Sequence, residues 1–121
     1  SKIINDDIII VVMLETPRAI NNVEEIASVR GIDVLLVGTN DLCMEMGIPG
    51  EFNHNDVKEA YKKVIQACKK NNILPGMGGV YDETLMHEYI DLGMKFILSG
   101  SDLSFLVKGA EDRLNNLKNK G

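Results

Sequence analysis

The chain has 121 residues, of which 45% are hydrophobic, and it carries a formal net charge of −5. This length predicts a single domain of residues 1–121, and the acidic balance, with three tyrosines, three phenylalanines and no tryptophan, argues against nucleic acid or an anionic membrane as a partner. The only cysteines, Cys43 and Cys68, argue against a disulfide framework or a cysteine-based zinc site and favour a reduced, cytoplasmic protein.

The first predicted strand is the apolar run from Ile8 to Leu14. A run of this length without alternation is typical of a strand that is buried on both faces of a parallel sheet. It is too short to cross a bilayer. Because no basic region or cleavage site precedes it, we expect no signal peptide either.

Two helix-start signals follow this strand. Thr16 and Pro17 supply a capping hydroxyl and a proline for a first helical turn. Asn22 stands three residues before Glu25, which is the spacing of a capping box. We therefore predict helical structure that ends at Gly31.

The second predicted strand runs from Val34 to Gly38, and Thr39 to Leu42 are predicted to form the loop after it. Residues 47–55 are also loop-like. A strongly periodic helix follows and is predicted to end at Asn71-Asn72. Its apolar face consists of Val57, Ala60, Tyr61, Val64, Ile65 and Cys68.

The third and fourth predicted strands are short. The third begins at Ile73-Leu74 and runs into the glycine-rich residues 75–79, and the fourth is Phe96 to Leu98. Asp82 is predicted to cap the helix between them. A last helix carries apolar residues at helical spacing, and its polar tail is predicted to fray from Asn115. These apolar residues are Leu103, Leu106, Val107, Ala110, Leu114 and Leu117.

Four strand-helix units in succession predict an α/β fold with a parallel sheet and right-handed crossovers. A complete (β/α)₈ barrel typically needs about 250 residues, so this chain is long enough for about half of one. The sequence also begins with Ser1 rather than methionine. We therefore expect the chain to be part of a longer protein.

Carboxylates follow the first two strands, at the sheet edge where parallel α/β folds bind ligands. Glu15 comes directly after an apolar strand, where an isolated buried charge would be costly, and Asp41 follows the next strand. Because adjacent parallel strands lie about 4.8 Å apart, the two carboxylates can converge on one cation such as Mg²⁺ or Mn²⁺. The alternatives are that Glu15 serves the helix start beside it and that Asp41 caps a short turn.

The remaining candidates give weaker signals. Gly78-Gly79 and Gly100-Ser101 follow the third and fourth strands, where small residues can bind phosphate but more often form a tight turn. His54 and His87 lie in a polar loop and on a helix exterior, so we assign no chemistry to them.

Four segments together resemble the HpcH/HpaI family of class II, metal-dependent pyruvate aldolases. They are residues 11–16 (VVMLET), 34–42 (VLLVGTNDL), 47–50 (GIPG) and 96–102 (FILSGSD). The resemblance implies the C-terminal half of a (β/α)₈ TIM barrel. It also implies an aldolase that makes or splits 4-hydroxy-2-oxo acids from pyruvate and an aldehyde, through a metal-bound pyruvate enolate. Such enzymes tend to form homo-oligomers.

The resemblance also implies roles for five residues. Glu15 and Asp41 match the protein ligands of Mg²⁺ (or Mn²⁺ or Co²⁺), and the backbone of Gly38, Thr39 and Asn40 would border the substrate carboxylate.

The chain departs from the family pattern in three ways. Met13 stands where the family often has glutamine, and Thr39 stands where it usually has proline. No residue matches the family's histidine base or its substrate-binding arginine, both of which come from the first half of the barrel, so the general base is expected there. Two alternatives stay open: a citrate-lyase-like enolate enzyme, and a non-catalytic half-barrel that serves as an oligomerisation module.

Overall fold

A computed structural model of the chain describes residues 8–119. The strands are β1 (Val11–Leu14), β2 (Val34–Gly38), β3 (Leu74–Gly78) and β4 (Phe96–Ile97). The helices are α1 (Pro17–Asn21), α2 (Val23–Ala27), α3 (Thr39–Glu45), α4 (Asn55–Asn71), α5 (Glu83–Leu92) and α6 (Asp102–Asn119). Within this part of the chain, none of the helices is both long enough and apolar enough to cross a membrane.

The four strands form one parallel sheet in the order β1-β2-β3-β4. The predicted parallel sheet is therefore confirmed, and each strand pairs only with its neighbours along the chain. β2 is an interior strand, and all five of its residues are buried.

The prediction that the first strand is buried on both faces is wrong. Val11 and Met13 are exposed, whereas Leu14 is buried, so the strand alternates. β1 lies at an edge of the sheet, and the helices cover only the side to which Leu14 points. An apolar sequence alone does not show whether other elements cover both faces of the strand.

Two of the predicted helix caps are confirmed. The Thr16 hydroxyl accepts a hydrogen bond from the Ala19 amide at 3.1 Å, and the Asp82 carboxylate accepts one from the Leu85 amide at 2.8 Å. Asn22 makes no such bond, so the predicted capping box is wrong. Asn22 lies between α1 and α2 and has φ −98° and ψ 13°, which is not the extended backbone of a typical N-cap.

The last helix is longer than predicted. α6 continues to Asn119 rather than fraying from Asn115, and the ion pair of Lys108 with Asp112 at 2.9 Å joins two of its turns. No residue of α6 is buried, and Leu103 and Leu106 are each 71% exposed. Its apolar side chains therefore lie outside the hydrophobic core formed by the rest of the described chain.

The core lies between the sheet and the helices that cover one of its faces. α4 supplies the largest share from one helix, and the predicted apolar face is confirmed except that Ile65 is only half-buried. The rings of Tyr61 on α4 and Tyr89 on α5 are both fully buried, with centroids 4.3 Å apart.

Both cysteine thiols are buried, and we expect them to be chemically silent in the folded chain. Burial raises the pKa of Cys43 and raises the pKa of Cys68 to about 11. At pH 8, a disulfide exchange reagent should label neither thiol in native protein and both in denaturant. Rapid labelling of the native chain would contradict the buried positions.

The raised pKa of Cys68 also has a consequence for stability. The folded pKa lies above the ordinary thiol value of 9.0, so the preference for the neutral thiol stabilises the fold fully below pH 9. This contribution is lost as pH rises toward 11. Urea unfolding of the wild type and of Cys68→Ala at pH 8 and pH 10.5 should show the larger alkaline loss in the wild type.

Candidate active site

The strand registers bring the predicted site residues to one edge of the sheet. Leu14 of β1 pairs with Val37 of β2, so Glu15 follows at the level of Gly38. Gly38 in turn pairs with Gly78 of β3. The carboxyl ends of three neighbouring strands therefore meet here, as a ligand site of a parallel sheet requires.

Glu15 lies directly over Gly38. A methyl group added at Gly38 would come within 2.9 Å of the Glu15 Cγ atom and 3.1 Å of its Oε1 atom. Because Gly38 has no side chain, the Glu15 carboxylate can occupy this place. Glu15 is half-buried rather than fully buried. Within residues 8–119, its carboxylate is therefore not in the fully buried position that would require a pairing charge or a cation.

Asp41 lies in the first turn of α3 and is exposed. The predicted loop of residues 39–42 is wrong, because the helix begins at Thr39, immediately after the strand. The cap position is taken by Gly38, so the alternative that Asp41 caps a turn from Leu42 onward is also wrong. A carboxylate in the first turn is favoured there by the helix dipole.

A small cavity of about 160 Å³ opens between the ends of β2 and β3. Its polar side is formed by Asn40 and Asp41, and its apolar side by Met13, Leu36 and Leu98. A larger cavity of about 560 Å³ lies at the opposite edge of the sheet, near the start of β3, and no carboxylate lines it. Of these two cavities, only the smaller one is lined by a carboxylate, that of Asp41.

Apart from the buried tyrosines and cysteines, Thr39 is the one buried residue of the described chain with a polar side chain. Its hydroxyl lies 2.5 Å from the Tyr61 hydroxyl and 3.4 Å from the Val37 carbonyl oxygen. The hydroxyl of Tyr89, beside Tyr61, donates to the Phe52 carbonyl in the loop before α4. The start of α3 is thus tied to the interior of the core.

The sequence pattern placed Tyr61 on a helix face but assigned it no role near the site. A usable signal existed, because a tyrosine on the apolar face of a helix needs a partner for its hydroxyl. What the pattern could not supply was the identity of that partner, which is 22 residues away along the chain.

The histidines have structural or peripheral positions, as predicted. His54 caps α4 by accepting a hydrogen bond from the Asp56 amide at 3.0 Å, and His87 is exposed on α5. Across residues 8–119, no group of three or more histidine, cysteine, aspartate or glutamate side chains is arranged to hold a metal ion. A cation bound by Glu15 and Asp41 would therefore take its other ligands from water, substrate or residues beyond this range.

The two small-residue segments serve local structure. Gly79 has φ +87°, and a methyl group there would lie 3.2 Å from the Asn40 amide nitrogen, so a tight turn accounts for it. Ser101 and Ser104 exchange amide-to-hydroxyl bonds of 2.9 and 3.2 Å at the start of α6. These contacts favour the interpretation of both segments as turns rather than phosphate sites.

The HpcH/HpaI aldolase/citrate lyase family model matches residues 1–109. A 4-hydroxy-4-methyl-2-oxoglutarate aldolase of Chaetomium globosum is 38% identical over 105 residues, which is 85% of this chain and 39% of the relative. The 4-hydroxy-2-oxo-heptane-1,7-dioate aldolase of Escherichia coli is 32% identical over 107 residues, which is 88% and 40% of the two chains. The chain thus spans about two-fifths of the length of these relatives.

The fold also matches that of a solved structure. The HpcH/HpaI aldolase from Desulfitobacterium hafniense matches with a TM-score of 0.83 and 26% sequence identity. The match covers 97% of this chain and 45% of that one. The predicted fold class, about half of a (β/α)₈ barrel with parallel strands, is confirmed.

Proposed function

Because the chain belongs to the HpcH/HpaI aldolase/citrate lyase family, we propose that it provides the metal-binding part of a divalent-metal-dependent aldolase. The substrates of this aldolase are 4-hydroxy-2-oxo acids, which it splits into, or assembles from, pyruvate and an aldehyde. The names of the two curated relatives, both aldolases of 2-oxo acids, support this substrate class.

One observation carries the proposal: Glu15 and Asp41 follow adjacent parallel strands at the same edge of the sheet. The missing side chain of Gly38 leaves room at this edge for the Glu15 carboxylate. Two carboxylates, completed by oxygen atoms from water and substrate, suit Mg²⁺, Mn²⁺ or Co²⁺. When bound, such a cation would stabilise negative charge that develops on the keto oxygen of pyruvate.

The chain's own groups would shape the rest of the pocket. The backbone of Gly38, Thr39 and Asn40 would border the carboxylate of the substrate. The Thr39 hydroxyl faces Tyr61, so only its backbone is available for this purpose. The apolar side of the cavity, with Met13 and Leu98, would contact the methyl end of pyruvate.

We propose that the general base lies outside the described range, in the rest of the barrel. We also propose that the whole protein is a cytoplasmic homo-oligomer. A citrate-lyase-like enzyme would share the metal pair and differ in its acceptor, and the family description covers both types.

Deuterium exchange into the methyl group of pyruvate tests the proposal without any assumption about the aldehyde. We expect that the chain together with Mg²⁺ accelerates the exchange in buffered D₂O beyond Mg²⁺ alone, with buffer acting as the base. Proton NMR of the methyl signal measures the rate. Glu15→Gln should reduce the rate to that of free Mg²⁺.

Two controls make the result interpretable. Circular dichroism must show that the variant is folded, and Glu25→Gln, the control variant, removes one charge from an exposed position on α2. Exchange that is unaffected by Glu15→Gln would remove this residue from the site. A folded chain that binds the metal but gives no exchange would contradict an enolate-forming site within this chain.

A further inference from the structure

The first turn of α3 is held by a directional contact that the rest of the helix lacks. Thr39, its first residue, is fully buried, and its hydroxyl lies 2.5 Å from the hydroxyl of Tyr61 on α4. Leu42 and Cys43 are also buried, but their side chains make only apolar contacts. Apolar packing fixes the body of a helix less specifically than a hydrogen bond fixes one residue.

Asp41, two residues after Thr39, has no comparable restraint. Its side chain is exposed and takes part in none of the ion pairs or hydrogen bonds found among residues 8–119. The position of its carboxylate therefore follows from the position of its backbone. That backbone is set by the turn that begins at Thr39.

We propose that Tyr61 is a positioning residue for the candidate site, which acts through Thr39 to hold the turn that carries Asp41. The inference rests on the proposed function, since it assumes that Asp41 binds the cation. Tyr61 itself touches neither the cation nor the substrate. It lies on the covered side of the sheet, whereas the cavity opens at the carboxyl edge.

The direction of the hydrogen bond agrees with this role. The Thr39 hydroxyl has one proton, and the Val37 carbonyl at 3.4 Å can accept it, which leaves Tyr61 to donate to the Thr39 oxygen. Burial raises the pKa of Tyr61, so the phenol keeps its proton throughout the neutral range. The contact therefore persists throughout the neutral range.

Tyr89 provides a matched control within the same cluster. Its ring is buried against Tyr61, and burial also raises its pKa, to about 12. However, its hydroxyl donates to the Phe52 carbonyl in the loop before α4, not to α3. Tyr61→Phe and Tyr89→Phe thus each remove one buried hydroxyl and leave the ring, but only the first detaches Thr39.

The test measures two properties of the wild type, Tyr61→Phe, Tyr89→Phe, Thr39→Val and Thr39→Ser. Mn²⁺ affinity is obtained by calorimetric titration, and the exchange rates of the Asn40 and Asp41 amides are obtained by NMR. We expect Tyr61→Phe to weaken Mn²⁺ binding about fivefold, the size of effect that one hydrogen bond produces. The two amides should exchange faster in Tyr61→Phe, and Tyr89→Phe should match the wild type in both measurements.

Threonine variants separate positioning from general stability. Thr39→Ser keeps the hydroxyl and should bind Mn²⁺ more tightly than Thr39→Val, whose affinity should equal that of Tyr61→Phe. Combining Thr39→Val with Tyr61→Phe should add little, because each change breaks the same bond.

The possible failures are distinguishable. If the wild type binds no Mn²⁺, the proposed function fails for this chain, while faster amide exchange in Tyr61→Phe would still show that Tyr61 holds the turn. If the wild type binds Mn²⁺ but Tyr61→Phe and Tyr89→Phe have the same affinities and exchange rates, the positioning role of Tyr61 is overturned.

Discussion

Replacing Asp41 with asparagine is expected to weaken Mn²⁺ binding at least ~100-fold while the chain stays folded. Loss of a group that only supports a metal ligand costs roughly 10–100-fold in affinity, so loss of one of two anionic ligands should cost at least the upper end of that range. Asp41 is exposed and forms none of the ion pairs seen in residues 8–119, so the fold does not depend on its charge. Titration calorimetry with Mn²⁺ measures the loss.

Asp91→Asn is the matched control for this change. Asp91 is an exposed aspartate on α5, so its replacement makes the same change in net charge at a distance from the sheet edge. It should bind Mn²⁺ as the wild type does. Equal affinities for Asp41→Asn and Asp91→Asn would exclude Asp41 as a ligand.

Adding a methyl group at Gly38 is expected to weaken Mn²⁺ binding by ~10–100-fold, through displacement of the Glu15 carboxylate. The new carbon would lie 2.9 Å from the Glu15 Cγ atom and 3.3 Å from the Met13 Cε atom. Both neighbours are side chains that can move, and Gly38 has φ −80°, which alanine adopts freely. The fold should therefore survive, whereas the site should not.

Gly78→Ala is the control for Gly38→Ala. Gly78 is the partner of Gly38 on β3, but a methyl group there would meet its nearest atom, the Leu98 Cδ1, at an ordinary distance of 3.4 Å. Calorimetry should give a nearly unchanged Mn²⁺ affinity for Gly78→Ala. If both variants bind equally well, the Glu15 carboxylate is not a ligand in the position described.

Local sequence patterns were sufficient for most of the fold. Apolar runs separated by helical periodicity identified the four strands and their parallel arrangement, because each strand pairs with the next one along the chain. The side-chain caps at Thr16 and Asp82 were also predictable, since each depends on residues within one turn. The carboxylates of the candidate site were found because strand ends are where such folds bind ligands.

The errors involve features that no local pattern contains. The exposure of Val11 and Met13 depends on which elements cover β1, and Thr39, where α3 begins, is bonded to Tyr61 on a helix that is distant along the chain. Asn22 failed as a cap because it also ends the preceding helix, which fixes its backbone away from the capping geometry. In each case the residue types and their spacing matched the predicted element, but the surrounding structure determined the conformation.

The strand order of the sheet has a consequence for how the chain acquires its structure. Since β1, β2, β3 and β4 are neighbours both along the chain and in the sheet, no strand has to wait for a distant one before it can pair. Each new strand-helix unit can dock onto the surface left by the one before it. During synthesis, which proceeds from the N-terminus, we expect the sheet to grow one strand at a time as the ribosome releases it.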